Sequence, residues 1–409
     1  MTPPLRTLVV LGCLSVGLST VRAANVTDAQ VNAITKSAIL IDTHNDIPSF
    51  TIDGTDIGNA PKNYTDIPRL REGGVGAIFF SVFVDRSYVE GNHSANRALQ
   101  MIDTVYHDII NRYPDTFVLA LTADDVVRAH KEGKIAALMG IEGGHAIEDS
   151  QRLLRDYYRL GVRYMTLTHF NTNDWADSSG DINDPTVKHH NGLTQQGKDI
   201  VHEMNRLGMM VDISHTSDKT FYDALEASSA PIIASHSSAR AVTDAARNMT
   251  DDMIKKLAAR GGVIQMNLEC GYISQKAADA EKNSHLRDKY MALMAQYKDD
   301  PAKLKSELEA LQEEAKKDQV RATLDDYVAH IDHVRQVAGI NAIGIGTDFD
   351  GIECAPIGLD DVSKFPNLTR ALLEKGYTAS DIKKIYGGNT LRVMRQVEKV
   401  SAQLRSSEK

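Results

Sequence analysis

The feature that most constrains this chain is a series of short apolar segments, each of which ends in side chains able to bind a metal ion. The segments read AILIDTHND, ALMGIEGGH, YMTLTH, MMVDISH, PIIASH and AIGIGTDFDG. Helical patterns separate them, and this alternation is typical of a parallel β/α fold. Ligands at several strand ends converge only if the sheet closes, and a (β/α)8 barrel collects them at its C-terminal mouth. The sequence therefore predicts an eight-stranded TIM barrel with a functional site at that mouth.

The polar side chains at these segment ends are imidazoles and carboxylates. A lone histidine at a strand end is more often a structural residue than a ligand. That interpretation does not explain the whole set, because each member interrupts an apolar run with a group that is costly to bury unpaired. His44 and Asp46 are two residues apart on one strand and so share a face. The candidates are His44, Asp46, Glu142, His169, His215, His236 and Asp348.

A mixture of imidazole and carboxylate suits zinc, or another first-row divalent ion, better than calcium or magnesium. The economical arrangement of so many ligands is two ions that share a carboxylate. Such a pair binds a hydroxide between the ions and lowers the pKa of the parent water towards about 7. The predicted reaction is metal-assisted hydrolysis of an amide or ester. The predicted metal ligands are His44, Asp46, Glu142, His215 and His236.

Two further residues are predicted to take part in the chemistry. Asp348 ends the last strand, where its carboxylate can hold the attacking water and carry its proton to the leaving amine. His169 is followed by the polar loop NTNDWADSSG. It is a candidate for polarising the substrate carbonyl or stabilising the tetrahedral oxyanion.

Length and charge limit the alternatives. The chain has 409 residues and a formal net charge of -9, which argues against a nucleic-acid partner. Residues 1–23 have an early arginine, a short apolar core and small residues at the end, which predicts a cleaved signal peptide. Residues 24–409 are then expected to form one barrel domain, secreted and N-glycosylated, with no visible membrane anchor. Asn-X-Ser/Thr sequons begin at Asn25, Asn63, Asn92, Asn248 and Asn367.

One segment breaks the β/α alternation. Residues 274–322 are rich in Ala, Glu, Lys and Leu and are interrupted by Pro301. We predict two solvated helices inserted between strand 7 and its following helix. A dimer contact, a lid over the site and a surface hairpin without chemistry all remain open for this segment.

The cysteines predict a disulfide bond. Cys13 belongs to the predicted signal peptide, so Cys270 and Cys354 remain in the mature chain. Two remaining cysteines in an oxidising compartment favour a bridge between the loops after strands 7 and 8. Two free buried thiols are the alternative.

Several stretches together resemble the membrane (renal) dipeptidase family of zinc peptidases, a branch of the amidohydrolase-type barrels. They are DTHNDIP, GIEGGH, LTHFNTNDWADS, DISH, SHSSAR continuing to ARN, and GTDFDG. The resemblance runs from about residue 38 to residue 400 and omits the inserted segment. His-X-Asp on the first strand, with Glu on the third, distinguishes this family from other amidohydrolases.

The resemblance implies a role for each matching position. His44 and Asp46 would hold one zinc ion, Glu142 would bridge to the second, and His215 and His236 would complete the second. Asp348 would contact the bridging water, and His169 would meet the peptide carbonyl or its tetrahedral intermediate. Arg247, in ARN, would bind the free C-terminal carboxylate of the substrate. The alternative for Arg247 is an ion pair with Asp244 or Asp251. Arg240 receives no role beyond that of an ordinary charge.

The sequence thus predicts a secreted dipeptidase with two Zn²⁺ per chain, acting on dipeptides through a metal-bridging hydroxide. A related binuclear hydrolase of N-acyl amino acids, D-amino-acid peptides or β-lactam-like amides is the alternative within the same class. A binding protein on an inactive barrel is the alternative from another class, and it would require lost ligands. The cysteine pattern of the mammalian members of this family is not reproduced, so a disulfide-linked dimer is unsupported. A non-covalent homodimer remains open.

Overall fold

The computed structural model describes residues 26–298, 300–317 and 319–407. The predicted signal peptide and the sequon at Asn25 lie outside the described residues. The described strands are β1 (Leu40–Asn45), β2 (Val75–Phe83), β3 (Phe117–Leu119), β4 (Ile135–Glu142), β5 (Val162–Thr166), β6 (Met210–Asp212), β7 (Ile233–Ser237), β8 (Val263–Met266) and β9 (Ile343–Ile345). The described α-helices are α1 (Asp28–Ser37), α2 (Ile47–Thr51), α3 (Ile67–Gly73), α4 (Ser94–Thr104), α5 (Ala123–Lys131), α6 (Gln151–Arg159), α7 (Gln195–Leu207), α8 (Asp218–Ala227), α9 (Asp251–Ala259), α10 (Cys270–Ile273), α11 (Gln275–Ser284), α12 (Leu286–Gln296), α13 (Pro301–Lys317), α14 (Leu324–Ala338), α15 (Phe365–Glu374), α16 (Ala379–Lys383) and α17 (Asn389–Ser407).

The sheet closes on itself as a parallel barrel. β1 pairs with β2 on one side and with β9 on the other, and β2 pairs with β4 over seven residue pairs from Ala77↔Ala136 to Phe83↔Glu142. From β4 to β9 each strand pairs with the next. The prediction of a (β/α)8 barrel is confirmed. The short strand β3 was not predicted; it pairs with the beginning of β4 outside the ring of eight.

The strands are almost entirely buried because helices cover the barrel on its outside and side chains fill its inside. The interior is shaped by residue size as well as by polarity. A Cβ at Gly140 would lie 2.0 Å from the Tyr164 ring, so only glycine leaves room for that ring inside the barrel. The phenol of Tyr164 in turn reaches His44. Packing of the barrel interior therefore fixes part of the candidate site.

The helices begin where the sequence supplies capping residues. The side chains of Thr27, Thr122 and Thr323 each accept a hydrogen bond from the backbone N–H of the third residue of the following helix, and the side chain of that residue accepts one from the backbone N–H of the threonine. These capping boxes satisfy backbone N–H groups that a helix start leaves unpaired. Among the described residues, no helix is both long enough and apolar enough to cross a membrane.

The segment 274–322 forms three helices, α11, α12 and α13. They lie between α14 and β8, which is the seventh strand of the ring because β3 lies outside it. The prediction of two helices is wrong in number, because His285 adopts a left-handed conformation (φ 53°) and separates α11 from α12. Pro301 begins α13, as a proline can at a first helical position.

The predicted disulfide is confirmed. Cys270, at the start of α10, is bonded to Cys354, which follows β9. The bridge ties the base of the inserted helices to the loop that carries Asp348, so it holds together two walls of the barrel mouth.

Candidate metal centre

The side chain of Glu142, the last residue of β4, lies at the middle of the candidate centre. Its two carboxylate oxygens face different groups of residues. Oε2 lies 3.3 Å from Nε2 of His44, whereas Oε1 lies 3.0 Å from Nε2 of His215 and 3.2 Å from Nε2 of His236. Burial raises the pKa of Glu142, but the imidazoles of His44 and His169 lower it, and the pKa lies well below its usual value. Glu142 is therefore ionised and able to bridge two cations.

The first group of donors lies on the β1 and β9 side of the mouth. Nε2 of His44 is 3.3 Å from Oδ2 of Asp46 and 3.9 Å from Oδ1 of Asp348. His44 is the fifth residue of β1, and Asp46 lies directly before α2. Burial lowers the pKa of His44, but Tyr164, Glu142 and Asp46 raise it well above its ordinary value. These surroundings favour a positive charge, which a metal ion can supply.

The second group of donors consists of two histidines from successive β/α units. Nε2 of His215 and Nε2 of His236 are 2.9 Å apart. Burial lowers the pKa of both imidazoles well below the ordinary value. The charge of His44 lowers the pKa of His236 further, and the charge of Arg247 lowers the pKa of His215 further. Both rings are therefore neutral, the state in which imidazole binds a metal. His215 has a left-handed backbone (φ 65°), a costly conformation that recurs at functional sites.

These residues fit a pair of divalent cations. Nε2 of His44 and both carboxylate oxygens of Asp46 are buried without a hydrogen-bond partner. A buried carboxylate without a partner is unfavourable unless a cation compensates it. The donor atoms fall into triplets within 4.8 Å of one another: His44 with Glu142 and His236, Glu142 with His169 and His215, and His44 with Asp46 and Asp348.

A layer of hydrogen bonds orients the histidine ligands from behind. Nδ1 of His44 is 2.6 Å from the hydroxyl of Tyr164, and Nδ1 of His236 is 2.8 Å from the hydroxyl of Ser235. That serine hydroxyl donates to the buried carboxylate of Asp212, which also accepts from the backbone N–H of Ser235. Such partners fix which ring nitrogen faces the metal and raise the basicity of the ligand.

His169 lies at the rim of the centre. Its Nε2 is 3.9 Å from Oε1 of Glu142, and its ring packs edge-on against Phe83 and Phe170 at 4.9 and 4.5 Å between centroids. Burial lowers the pKa of His169, and Arg247 lowers it further. A neutral imidazole held by two aromatic rings can present a fixed N–H or lone pair to a substrate oxygen.

Asp348 lies on the loop after β9, on the side of the centre that His44 occupies. Nδ2 of Asn267 donates to its Oδ2 at 2.9 Å, and its backbone is left-handed (φ 62°). Burial raises the pKa of Asp348 well above its usual value, and the carboxylates of Asp46 and Glu142 contribute in the same direction. A raised pKa is the property that a carboxyl group needs in order to accept and return a proton near neutral pH.

Arg247 lies beside the centre and is 7 % exposed. It donates from Nη1 to the hydroxyl of Ser237 and from Nη2 to the carbonyl of His236, both at 2.7 Å. Its Nε is buried without a partner, and no ion pair of Arg247 occurs within the described ranges. The alternative pairing with Asp244 or Asp251 is not observed; the imidazole of His333 contacts Asp251 instead.

Arg240 has a different environment. Its guanidinium binds both carboxylate oxygens of Asp218, at 2.8 and 2.7 Å, and the carbonyls of Asn248 and Ala246. These bonds hold the loop that carries Arg247. Arg240 is therefore an internally paired structural charge, whereas the charge of Arg247 is available to a ligand.

The structure brings every predicted ligand and candidate catalytic residue to one mouth of the barrel. Sequence reasoning missed the residues that position them: Tyr164, Asp212, Ser235, Asn267 and Tyr272. Three of these left a signal, since Tyr164, Asp212 and Ser235 are polar residues in the apolar segments YMTLTH, MMVDISH and PIIASH. Asn267 and Tyr272 left none, because only the barrel closure brings them near Asp348 and Arg247.

The chain is similar to known proteins over most of its length. The family model described as membrane dipeptidase (peptidase family M19) matches residues 28–408. Dipeptidase verJ of Clonostachys rogersoniana is 38% identical over 384 residues, which cover 90% of this chain and 86% of that protein. An uncharacterized dipeptidase of Schizosaccharomyces pombe, C965.12, is 35% identical over 390 residues, which cover 91% of this chain and 83% of that protein.

Solved structures show the same fold. The probable dipeptidase PvdM of Pseudomonas aeruginosa superposes with a TM-score of 0.77 at 24% identity, over 91% of this chain and 98% of that one. A metallo peptidase of Rhodobacter sphaeroides, solved with a phosphinate mimic of the dipeptide L-Ala-D-Ala, gives a TM-score of 0.68 at 22% identity. That match covers 88% of this chain and 100% of the other.

Proposed function

The chain belongs to the membrane dipeptidase family, peptidase family M19, and is a metal-dependent dipeptidase; from that premise we propose that it is a secreted enzyme that hydrolyses dipeptides with two zinc ions. His44 and Asp46 would hold one ion, His215 and His236 would hold the other, and Glu142 would be the carboxylate shared between them. Imidazole and carboxylate together favour zinc over calcium or magnesium.

The observation that supports two ions is the position of Glu142 between two groups of donors. Its Oε2 faces His44, and its Oε1 faces His215 and His236. Two ions, one on each side of the carboxylate, would use both oxygens and all these imidazoles at ordinary ligand distances of about 2 Å. A bridging carboxylate accounts for the whole arrangement.

When bound, the ions supply Lewis acidity, which makes a water nucleophilic near neutral pH and polarises the peptide carbonyl. The chain supplies the remaining steps. Asp348 accepts the proton of the attacking water and returns it to the leaving amine. His169 donates a hydrogen bond to the oxygen on which negative charge develops. The aromatic rings of Phe83 and Phe170 hold that imidazole in place.

Arg247 orients the substrate in this proposal. A buried guanidinium that has no carboxylate partner binds a terminal carboxylate strongly, because the charge pair forms away from water. The terminal carboxylate at Arg247 and the scissile carbonyl near Glu142 then fix the C-terminal residue between them. Substrates without that carboxylate are bound less well.

Secretion and N-glycosylation belong to the same proposal. The disulfide between Cys270 and Cys354 supports an oxidising compartment. The sequons at Asn92 and Asn367 are exposed and can carry glycans. Asn248 is 1 % exposed and donates from Nδ2 to the carbonyls of Thr243 and Tyr272, so the folded chain has no room for a glycan there. A non-covalent homodimer stays a prediction.

The alternative substrates are N-acyl amino acids, D-amino-acid peptides and β-lactam-like amides. They would use the same metal ligands and the same proton carrier, so the shape and charge of the pocket separate them. A panel of dipeptides, tripeptides, dipeptide amides and N-acyl amino acids measures that selectivity directly. We expect free dipeptides to have the highest kcat/KM.

The proposal is tested by metal reconstitution. The enzyme is stripped with a chelator, titrated with zinc, and assayed for bound metal by mass spectrometry and for hydrolysis of Ala-Ala. We expect two zinc ions per chain and full activity only near the second equivalent. Saturation at one ion per chain would overturn the two-metal centre, and N-terminal sequencing of the exported protein tests removal of residues 1–23.

A further inference from the structure

A cavity of about 530 Å³ opens beside the candidate metal centre, beneath the inserted helices. Asp348, Gly351 and Ile352 line it on the barrel side, and Leu286, Leu311 and Ala315 line it on the side of the insertion. The Cys270–Cys354 bridge lies in its wall. The volume is within the range of ligand pockets and larger than a methyl side chain needs. The insertion therefore encloses space that adjoins the reacting groups.

All three inserted helices contribute to the lining of the cavity, through Ala277 on α11, Leu286 on α12 and Leu311 on α13. Burial raises the pKa of Tyr290, on α12, and the carboxylate of Asp85 raises it further while Arg86 lowers it. Asp85 and Arg86 follow β2, whereas the insertion follows β8. α12 therefore also lies near the loop after β2. Because Leu286, Leu311 and Ala315 line the cavity on the side away from the barrel residues, the insertion forms its roof.

The position of the cavity identifies the part of a dipeptide that it can receive. Asp348, which returns a proton to the leaving amine, lines one part of the cavity, and Tyr272 lines another. The guanidinium carbon of Arg247 lies 5.8 Å from the centroid of the Tyr272 ring. The residue between the leaving amine and the terminal carboxylate is the C-terminal residue of the dipeptide, so its side chain faces this cavity.

The charges of the lining favour one kind of side chain. The lining carries one ammonium group, that of Lys289, and five carboxyl groups, those of Asp348, Glu269, Glu281, Glu314 and Glu353. Lys289 lies 3.9 Å from Glu314, which offsets one of them. Burial, and then Glu281, raises the pKa of Glu269 to about 7, so the carboxylates already disfavour one another. A further anion in the cavity is unfavourable.

We propose that this cavity is the subsite for the side chain of the C-terminal residue, and that the insertion makes the enzyme selective for dipeptides in which that side chain is long and either uncharged or basic. The inference rests on the proposed binding of the terminal carboxylate by Arg247. Leu286, Leu311 and Ala315 are its specificity-determining residues, because they close the cavity above the barrel.

The test fills the cavity from the insertion side. Ala315→Trp places a large ring in the lining of the cavity, and Ala310→Trp places the same ring on an exposed position of the same helix, α13, outside the lining. Both variants are compared with the wild type, at zinc saturation, on Ala-Ala, Ala-Met, Ala-Lys, Ala-Glu and the reversed dipeptide Met-Ala. Circular dichroism and thermal unfolding show whether each variant is folded.

For the wild type we expect kcat/KM on Ala-Met and Ala-Lys to exceed that on Ala-Glu at least about tenfold, since like charges brought together at an interface are strongly disfavoured. Ala315→Trp should lower kcat/KM for Ala-Met and Ala-Lys at least about tenfold. It should change kcat/KM for Ala-Ala and Met-Ala less than about threefold. Ala310→Trp should leave all the ratios unchanged.

Three results would overturn the inference. The first is an unchanged ratio of kcat/KM on Ala-Met to kcat/KM on Ala-Ala in Ala315→Trp. The second is a selective loss of kcat/KM on Met-Ala instead of Ala-Met in that variant. The third is a preference of the wild type for Ala-Glu. Hydrolysis of Ala-Ala by the wild type reports the proposed function separately. An active enzyme with unchanged ratios therefore refutes the subsite and leaves the dipeptidase reaction intact.

Discussion

The Nε2 atoms of His215 and His236 lie 2.9 Å apart, although the two residues belong to successive β/α units of the barrel. Both imidazoles are neutral, because burial holds their pKa well below its ordinary value. Nδ1 of His236 is held by the hydroxyl of Ser235, which directs the lone pair of its Nε2 towards His215. A cation bound by both Nε2 atoms and by a third donor would stabilise this close approach. Oε1 of Glu142, at 3.0 and 3.2 Å from the two nitrogens, is that donor.

Replacing Glu142 by glutamine tests the bridge. The amide is neutral and a poor ligand for two cations, so Glu142→Gln should lose bound metal and activity together. Removal of a group that only hydrogen-bonds to a metal ligand lowers metal affinity roughly 10–100-fold, and removal of the bridging carboxylate should lower it more. Metal content by mass spectrometry and kcat/KM on Ala-Ala are the measurements. A variant that keeps both ions would contradict the bridging role.

Replacing Asp348 by asparagine should have a different result. The side chain keeps its size and its contact with Asn267, but it cannot accept a proton. Asp348→Asn should keep most of its metal and lose about 10²–10⁴-fold in kcat, the usual contribution of a general acid–base residue. If both ions are lost, Asp348 is a metal ligand and not a proton carrier.

The hydroxyl of Tyr164 is expected to tune metal binding without contacting the metal. Tyr164→Phe removes the hydrogen bond to Nδ1 of His44 and should lower zinc affinity about 10–100-fold. Tyr157→Phe is a matched control, because that hydroxyl is also buried but donates to the carbonyl of Ala146. Competition with a fluorescent chelator measures both affinities. Equal affinities in the two variants would argue against the positioning role.

The barrel and its ligands could be predicted because their signal is local in the sequence. Strands buried on both faces are continuous apolar runs, and a ligand such as His44 or Asp348 stands at the end of such a run. The short strand Phe117–Leu119 lies in the apolar run FVLAL, but this run does not end in a ligand-type side chain, and the strand pairs only with the beginning of β4. A run of five apolar residues does not by itself distinguish a strand from part of a buried helix.

The support of the site could not be predicted, because it depends on contacts between distant segments. Asn267 and Asp348 are in contact although they are 81 positions apart in the sequence, and Tyr164 and His44 are in contact although they are 120 positions apart. Neither contact has a spacing rule. The split of the insertion at His285 also escaped prediction, since a left-handed histidine between two helical patterns leaves no Gly or Pro as a signal.

Stability should fall in mild acid because of His330, on α14. Burial lowers its pKa from 6.5 to about 4, and its Nδ1 accepts a hydrogen bond from the backbone N–H of Ala239. Between pH 4 and 6.5 the unfolded chain therefore binds more protons than the folded one, so the free energy of unfolding rises with pH. The contribution of this group, up to about 3 kcal/mol, is present above pH 6.5 and is lost on acidification towards pH 4.

The measurement is urea unfolding at pH 7 and pH 5 with zinc in excess. His330→Asn should be less stable at pH 7 but should lose less stability between the two pH values than the wild type. His93→Asn, at an exposed position, should leave the wild-type pH dependence unchanged. The same loss in His330→Asn as in the wild type would show that other groups cause the acid sensitivity.

Selection for dipeptide length should depend on Arg247. Its guanidinium is buried and makes no ion pair with a described residue, so a substrate carboxylate would complete it. Arg247→Ala should lower kcat/KM for free dipeptides by about 2–5 kcal/mol of transition-state binding, the scale on which a buried charge pair loses one partner. A dipeptide amide, which has no terminal carboxylate, should be affected far less. Arg395→Ala is the control, because Arg395 on α17 is paired with Asp124 on α5, outside the loop of Arg247, and should change neither substrate. Equal losses on free and amidated dipeptides in Arg247→Ala would show that Arg247 only supports the loop, and that another group measures the length of the substrate.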